Sequence, residues 1–272
     1  MRKKLIAANW KMHKTPDEAA AFVREFTALI SGDEDDEITI LPPFISLSAT
    51  LEAVHGSPIA VGAQNMHWQK EGAFTGEICA TMLVGIGCQH VIIGHSERRR
   101  YFGETDIDVN RKLRSALENK LKPIVCIGEL LEERQSALTE RVLSRQISMA
   151  LRQISEIDFD SFCFAYEPVW AIGTGEAATP EVAVETHAFI RSEAARVLGD
   201  RAKTKLRILY GGSVTPENVT ALMSKEEIDG ALVGGASLDP RSFANIVRWR
   251  TRNDDESAVE QLISYSDKRG TV

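Results

Sequence analysis

The stretch from Leu206 to Gly235, LRILYGGSVTPENVTALMSKEEIDGALVGG, contains one local pattern twice. An apolar, β-prone run ends in a pair of glycines, first at Gly211-Gly212 and again at Gly234-Gly235. A proline follows each pair within a few residues, in Thr215-Pro216 and Asp239-Pro240, and proline suits the first position of a helix. The pattern predicts two strands, each followed by a glycine-rich turn and a helix.

Six further apolar runs precede this pair, and helical patterns lie between them. Most of the eight runs are continuous rather than alternating, which indicates strands covered on both faces. The runs are LIAAN (5–9), EITIL (37–41), IAVGAQ (59–64), HVIIG (90–94), KPIVCIG (122–128), FCFAYE (162–167), LRILYGG (206–212) and GALVGG (230–235). Strand alternating with helix eight times implies parallel pairing through crossovers. The sequence therefore predicts an α/β fold, a single (β/α)8 barrel with its active site at the C-terminal ends of the strands.

An open doubly wound sheet is the competing arrangement. No G-x-G-x-x-G motif follows the first run, which disfavours that alternative. No linker rich in Pro, Gly or Ser divides the chain, so we expect one catalytic barrel domain over residues 1–250. Residues 251–272 form a C-terminal extension, which we expect to be either a short amphipathic helix or disordered.

Helix start signals support the alternation. Thr15 followed by Pro16 and Glu18 predicts a capping box and a helix over 15–31. Thr179-Pro180 predicts a second helix, which runs to Leu198 and stops at Gly199. The patterns at 105–119 and 136–154 are also helical.

Charge and composition exclude several classes of protein. The 272 residues carry a net charge of −7, whereas a general nucleic-acid or anionic-membrane binder needs a basic excess. The apolar N-terminal run is too short for a signal peptide, and no run approaches a membrane span, so we expect a cytoplasmic protein. Its four cysteines show no C-x-x-C spacing and are interpreted as reduced core thiols. No histidine pattern has metal-ligand spacing, so no metal is expected.

Polar side chains at the strand ends are the candidate chemistry. In a parallel barrel, all the loops that follow strands share one face, so these residues converge. Asn9 and Lys11 follow the first strand, His95 the fourth and Glu167 the sixth. These residues would bring one cation, one imidazole and one carboxylate to the same end of the barrel.

The two glycine pairs have two interpretations. Bare backbone lets N–H groups approach an anion closely, and a helix N-terminus adds partial positive charge. Alternatively, each pair only makes a tight turn, which is the better interpretation of either pair alone. Both pairs lie on neighbouring strands, with Ser213 after the first, and together they favour a phosphate site.

A lid is predicted directly after Glu167. Apolar residues followed by two glycines are unusual for an exposed loop, and they suit a segment that covers a site and excludes water. The predicted lid comprises Pro168, Val169, Trp170, Ala171, Ile172, Gly173, Thr174 and Gly175. Pro168 also favours an extended backbone at Glu167. A surface glutamate in an ordinary loop is the alternative.

His95 precedes a predicted helical turn at Ser96-Glu97. A nearby helix N-terminus disfavours the imidazolium, so we expect a neutral ring that donates a hydrogen bond. A histidine with a purely structural role is the alternative for His95 taken alone.

These residues together closely resemble the triosephosphate isomerase family, over residues 4–249. The motifs that carry the resemblance are NWKM (9–12), AQN (63–65), GAFTGE (72–77), GHSERR (94–99), YEPVWAIGTG (166–175), YGGS (210–213) and LVGGASL (232–238). The resemblance implies a cofactor-independent TIM-barrel isomerase that interconverts dihydroxyacetone phosphate and glyceraldehyde 3-phosphate in glycolysis and gluconeogenesis. It also implies a homodimer through the 65–78 loop, with Thr75 reaching the neighbouring subunit.

The resemblance also assigns roles to single residues. It implies that Glu167 is the base, His95 the electrophile and Lys11 the substrate-binding cation. Asn9 and Ser96 would support the substrate and the histidine, and Glu97 would pair with Lys11. The phosphate would be held by Gly173, Ser213, Gly234 and Gly235. Ala8 stands where the family often has glycine, and the extension after Trp249 exceeds the usual family end.

Three other functions compete. An isomerase of a four-carbon ketose phosphate would need the same base, histidine and phosphate site. A Schiff-base aldolase would need a lysine at a central strand end, where this chain has Glu167. A non-catalytic sugar-phosphate binder would have no reason to combine Glu167, His95 and the lid.

Overall fold

A computed structural model describes residues 2–30, 35–154, 158–171 and 178–250. Eight parallel strands form a closed barrel in sequence order. They are β1 Leu5–Asn9, β2 Glu37–Leu41, β3 Ala60–Ala63, β4 His90–Ile93, β5 Lys122–Ile127, β6 Cys163–Tyr166, β7 Arg207–Tyr210 and β8 Gly230–Val233. The barrel closes because β1 pairs with both β2 and β8, with Ile6 opposite Ile38 and Ala231. The predicted (β/α)8 barrel is confirmed, and the doubly wound alternative is wrong.

Helices surround the barrel. The α-helices are α1 Pro16–Leu29, α2 Leu47–Ala53, α3 Ala80–Gly85, α4 Ser96–Phe102, α5 Asp106–Glu118, α6 Leu131–Gln135, α7 Thr139–Ala150, α8 Pro180–Leu198, α9 Arg201–Lys205, α10 Val219–Met223 and α11 Pro240–Val247. Short 3-10 helices span Phe44–Ser46, Val169–Ala171 and Gly235–Ser237. The expected capping box of Thr15 and Glu18 is present, and α8 begins after its Thr179 cap as predicted.

One predicted helix start is wrong. Pro240 begins α11, but Pro216 lies in a turn and α10 begins only at Val219. Asn218 explains the delay, because its side chain accepts from the N–H of Thr215 and donates to the carbonyl of Ser213. These bonds stabilise a local turn that competes with helix at this point.

Apolar side chains fill both faces of the strands. Side chains that point into the barrel, including Leu5, Leu41, Ile92 and Leu209, form a small inner cluster. Side chains on the opposite face, such as Ile40 and Phe164, pack under the helices in a much larger cluster. Two apolar faces explain why the strand runs are continuous rather than alternating.

The four cysteines are free and buried, which confirms their interpretation as reduced core thiols. Burial raises the pKa of Cys88 to about 11. Burial also raises the pKa of Cys163 to about 12, so neither side chain forms a reactive thiolate at neutral pH.

The described chain ends at the N-terminal mouth of the barrel, opposite the strand ends that carry the candidate site. Arg250 contacts both carboxylate oxygens of Asp36, at 2.8 and 2.9 Å, and Trp249 donates to the same carboxylate at 2.8 Å. Asp36 directly precedes β2. A cavity of about 410 Å³ at this mouth is lined mainly by charged side chains and by Thr204. Residues 251–272, including the expected short helix, lie outside the described residues.

Candidate active site

A cavity of about 380 Å³ lies at the C-terminal ends of the strands. Its lining residues are Asn9, Lys11, His95, Glu167, Gly211, Gly212, Ser213, Val214, Thr215, Leu232, Gly234, Gly235 and Ala236. The acid–base candidates and the described part of the predicted phosphate site therefore meet in one place. The cavity joins residues that are more than 200 positions apart in the chain.

Glu167 lies at the bottom of this cavity and is only 2% exposed. Its Oε1 lies 2.9 Å from Nε2 of His95, and its Oε2 accepts from the N–H of Ser96 at 2.9 Å. Burial alone raises the pKa of Glu167, but His95, the Ser96 N–H and Lys11 outweigh burial and lower it. The side chain is therefore a carboxylate at neutral pH, which is the form that can accept a proton.

Two glycines make room for Glu167. A Cβ at Gly128, just after β5, would lie 1.7 Å from the carbonyl oxygen of Glu167. A Cβ at Gly211 would lie 2.9 Å from Cγ of Glu167 and 3.0 Å from the carbonyl oxygen of Tyr166. The first glycine of the pair after β7 thus serves the carboxylate, a purpose that the sequence pattern did not indicate.

His95 caps the N-terminus of α4, as expected from the helical turn predicted at Ser96. Its Nδ1 accepts from the N–H of Glu97 at 3.3 Å, so the proton of a neutral ring lies on Nε2. Nε2 is the atom that faces Glu167.

The pKa of His95 differs from the expectation. Burial lowers the pKa, as a neutral ring requires, but the adjacent carboxylates of Glu167 and Glu97 raise it overall. The expectation considered the helix terminus alone, and no sequence signal placed Glu167 within hydrogen-bond distance of the ring.

Lys11 approaches the cavity from the end of β1. Its Nζ lies 2.6 Å from Oε1 of Glu97, the pairing that the family resemblance implies. Its N–H donates to Oδ1 of Asn9 at 3.1 Å, and Asn9 is itself buried in the cavity wall. A single cation thus faces the carboxylate and the imidazole across the cavity.

Free main-chain donors line the far side of the cavity. Within the described residues, the N–H groups of Gly212, Ser213, Gly234 and Gly235 donate to no partner. The Gly235–Ser237 3-10 helix begins at this point. Unpaired N–H groups clustered at helical turns attract anions. The second glycine pair supplies this bare backbone without crowding, since a Cβ at Gly234 would only touch Cε of Lys11 at 3.4 Å.

The described part of the predicted lid is Pro168, Val169, Trp170 and Ala171, and its last three residues form a 3-10 helix. Trp170 donates from its indole Nε1 to Oε1 of Glu129 at 3.0 Å, and the hydroxyl of Tyr166 contacts the same oxygen at 3.1 Å. Ile172, Gly173, Thr174 and Gly175 lie outside the described residues, and with them the predicted phosphate contact of Gly173.

Glu129 was missed by the sequence reasoning, although it follows β5 at a strand end. It is fully buried and lies behind the cavity rather than in it. A glutamate just after an apolar strand run was the available signal.

Thr75 is exposed and does not line the cavity of its own chain. Several large apolar side chains that line two other cavities are also exposed. Met12, Phe44 and Phe102 line a second cavity of about 290 Å³ beside the site, and Phe74 and Met82 line a smaller one.

Two other kinds of site are absent from the part of the chain that the structure describes. Across the described residues, no group of three or more His, Cys, Asp or Glu side chains is arranged to hold a metal ion. Of the helices in that same part of the chain, none combines the length and apolar character needed to cross a bilayer.

Comparison with known proteins gives a consistent result. A sequence model of the triosephosphate isomerase family matches residues 4–250. The triosephosphate isomerase of Solibacter usitatus is 53% identical over 249 residues, which cover 92% of this chain and 100% of that protein. That of Citrifermentans bemidjiense is 52% identical over 249 residues, 92% of this chain and 99% of its own length. That of Dictyoglomus turgidum is 50% identical over 248 residues, 91% of this chain and all of its own.

Proposed function

This chain belongs to the triosephosphate isomerase family, and from that premise we propose how the residues of its cavity divide the reaction. The chain is a cofactor-independent isomerase that interconverts dihydroxyacetone phosphate and glyceraldehyde 3-phosphate, a step of glycolysis and gluconeogenesis. The isomerase of a four-carbon ketose phosphate and the non-catalytic binder are not favoured, because the relatives above are all triosephosphate isomerases.

Glu167 is the base in this proposal. Its carboxylate removes a proton from the carbon beside the substrate carbonyl and returns it to the neighbouring carbon, through an enediol or enediolate. The supporting observation is its position, since Glu167 is ionised, buried and held 2.9 Å from His95 in a cavity that also contains free main-chain donors.

His95 and Lys11 stabilise the oxygen charge that develops on the substrate. When a substrate oxygen replaces the Glu167 carboxylate at Nε2, the hydrogen bond from Glu167 that helps to raise the pKa of His95 is lost. The Nδ1 contact with the Glu97 N–H remains and keeps the donor proton on Nε2. The Nε2–H group of His95 and the ammonium of Lys11 are fixed near the oxygen on which negative charge develops. They therefore lower the activation free energy of enolisation. Asn9 and Ser96 support this arrangement through their bonds to Lys11 and Glu167.

The substrate phosphate binds the free N–H groups of Ser213, Gly234 and Gly235, together with Gly173 of the lid. Main-chain donors are suited to a dianion because they hold it without a second titrating group. Closure of the lid would exclude water from an intermediate that can otherwise expel phosphate.

The functional unit is a homodimer in the cytoplasm. The exposed apolar side chains Phe74, Met82 and Phe102 support a covered surface, because burial against a second copy would remove their apolar area from water. The 65–78 loop would then carry Thr75 towards the site of the neighbouring subunit.

Solvent deuterium exchange tests the proposed base. The native protein, supplied with dihydroxyacetone phosphate in D₂O, should incorporate label and release the aldose phosphate. Glu167→Gln keeps the shape but cannot take a proton, so kcat should fall by at least ~100-fold. Full turnover by this variant would remove Glu167 from its role, and faster turnover of a tetrulose phosphate would restore the four-carbon alternative.

A further inference from the structure

The main chain of Lys11 has an unfavourable conformation. Its φ is +52°, in the left-handed region that side chains other than glycine rarely adopt. Such a conformation is less stable than an ordinary one, so surrounding contacts must hold it in place. The conformation decides where the long side chain of Lys11 leaves the end of β1 and enters the cavity.

Both polar groups of the Lys11 main chain are bound by side chains. Its N–H donates to Asn9, and its carbonyl accepts from Nε2 of Gln64 at 2.8 Å. The same amide nitrogen donates its other hydrogen to the carbonyl of Leu41, the last residue of β2, also at 2.8 Å. Gln64 directly follows β3, so it ties the Lys11 turn to the ends of two neighbouring strands.

We propose that Gln64 is a positioning residue for the isomerase reaction: by bonding the Lys11 and Leu41 carbonyls, it holds the left-handed turn that aims the Lys11 ammonium into the cavity. The inference rests on the proposed role of Lys11 as the substrate-binding cation. An amide is suited to this place because its nitrogen carries two hydrogens for two carbonyl oxygens. A glutamate at 64 would offer only acceptors, and an asparagine would be one methylene too short.

Removal of the two donors should weaken substrate binding more than it slows turnover. Gln64→Met keeps the length of the side chain but donates nothing, so Lys11 can relax to an ordinary backbone conformation and lose its aim. We expect KM for dihydroxyacetone phosphate to rise about tenfold, with a smaller fall in kcat. Gln64→Asn, which keeps the amide, should give an intermediate KM and serves if the methionine variant folds poorly.

A double-mutant cycle separates positioning from stability. Lys11→Met alone should sharply reduce kcat/KM. In that background, Gln64→Met should change kcat/KM by less than about twofold, because its target is gone. The fall in Tm caused by Gln64→Met should persist in both backgrounds.

Asn110 provides a matched control. Its amide also donates to two main-chain carbonyls, those of Ala150 and Arg152, both at 2.8 Å, and it lies on α5 away from the cavity. Asn110→Leu should lower Tm and leave KM within about twofold of the native value.

The outcomes are distinct. If Gln64→Met reduces kcat/KM by the same factor with and without Lys11, or leaves KM unchanged, the positioning role is wrong while the proposed site stands. If Lys11→Met leaves kcat/KM unchanged, the proposed role of Lys11 is itself wrong, and the role of Gln64 is wrong with it.

Discussion

Gly211 has no side chain, and this leaves room for the side chain of Glu167. A Cβ there would press on Cγ of Glu167 at 2.9 Å, a distance that real contacts do not reach without movement. The main chain of Gly211 cannot retreat easily, because its N–H donates to the carbonyl of Tyr166 at 2.7 Å. The carboxylate would have to move instead.

Gly211→Ala should therefore reduce kcat while KM changes little. A displacement of this kind at a proton-transfer group costs roughly 10- to 100-fold in rate. Steady-state kinetics with dihydroxyacetone phosphate measure the effect, and the inhibition constant of inorganic phosphate checks that the anion site is intact. An unchanged kcat in a variant that folds normally would show that Glu167 tolerates the methyl group.

The sequence predicted which residues meet at the site, and it did not predict how their charges interact. Asn9, Lys11, His95 and Glu167 were identifiable because each follows an apolar run that becomes a barrel strand. The direction of the His95 pKa shift was not, because it depends on a contact with Glu167, 72 positions away in the chain. Gln64 and Glu129 were missed for the same reason, since their partners lie at the ends of other strands.

At the scale of elements, capping residues decide where the helices begin. Before α5, Thr105 accepts from the N–H of Asp108 at 3.2 Å, and Asp108 accepts in return from the N–H of Thr105 at 3.0 Å. This capping box satisfies two main-chain donors that the helix itself leaves unpaired.

Thr105→Ala should lower the free energy of unfolding by about 1 kcal/mol, the usual cost of a lost N-cap, and leave kcat/KM unchanged. Urea unfolding at fixed protein concentration measures the difference. Thr204→Ala is the matched control, because Thr204 is an exposed threonine inside α9 and alanine is the better helix former there. Equal losses in the two variants would show that the capping box contributes nothing specific.

Strand positions were predictable, and strand ends were less so. The eight runs were found because covering both faces with apolar groups leaves a continuous hydrophobic signal. Six of the strands are shorter than the apolar runs that predicted them. In β7, for example, the strand ends at Tyr210, and Gly211 and Gly212 line the cavity instead. Pro216 fails as a helix start because the side chain of Asn218 stabilises a turn, a competition that periodicity does not report.

At the scale of the whole molecule, exposed apolar side chains bear on association between two copies of the chain. Exposed Phe102 lines a cavity beside the site, exposed Phe74 and Met82 line a separate small cavity, and Thr75 is exposed in the same loop as Phe74. Burial of such side chains against a second copy would add hydrophobic stabilisation of about 25 cal/mol for each Å² of apolar surface.

Thr75→Arg should convert the proposed dimer to monomer and reduce kcat/KM at least about tenfold, because a charged side chain would be desolvated at the contact. Sedimentation velocity and activity over a dilution series measure both effects. Thr204→Arg places the same change on an exposed threonine at the opposite mouth and should alter neither. A fully active monomer, or an intact dimer in Thr75→Arg, would contradict the shared-site arrangement.

The anchoring of Arg250 and Trp249 on Asp36 also has a practical consequence for handling the enzyme. Because Trp249 and Arg250 are fixed on Asp36, at the pole of the barrel remote from Glu167, a surface linker attached to the barrel at that pole is far from the substrate entrance. Immobilised in this orientation, the catalyst would present its working pole to the bulk solution, and substrate would diffuse to it without crossing the support.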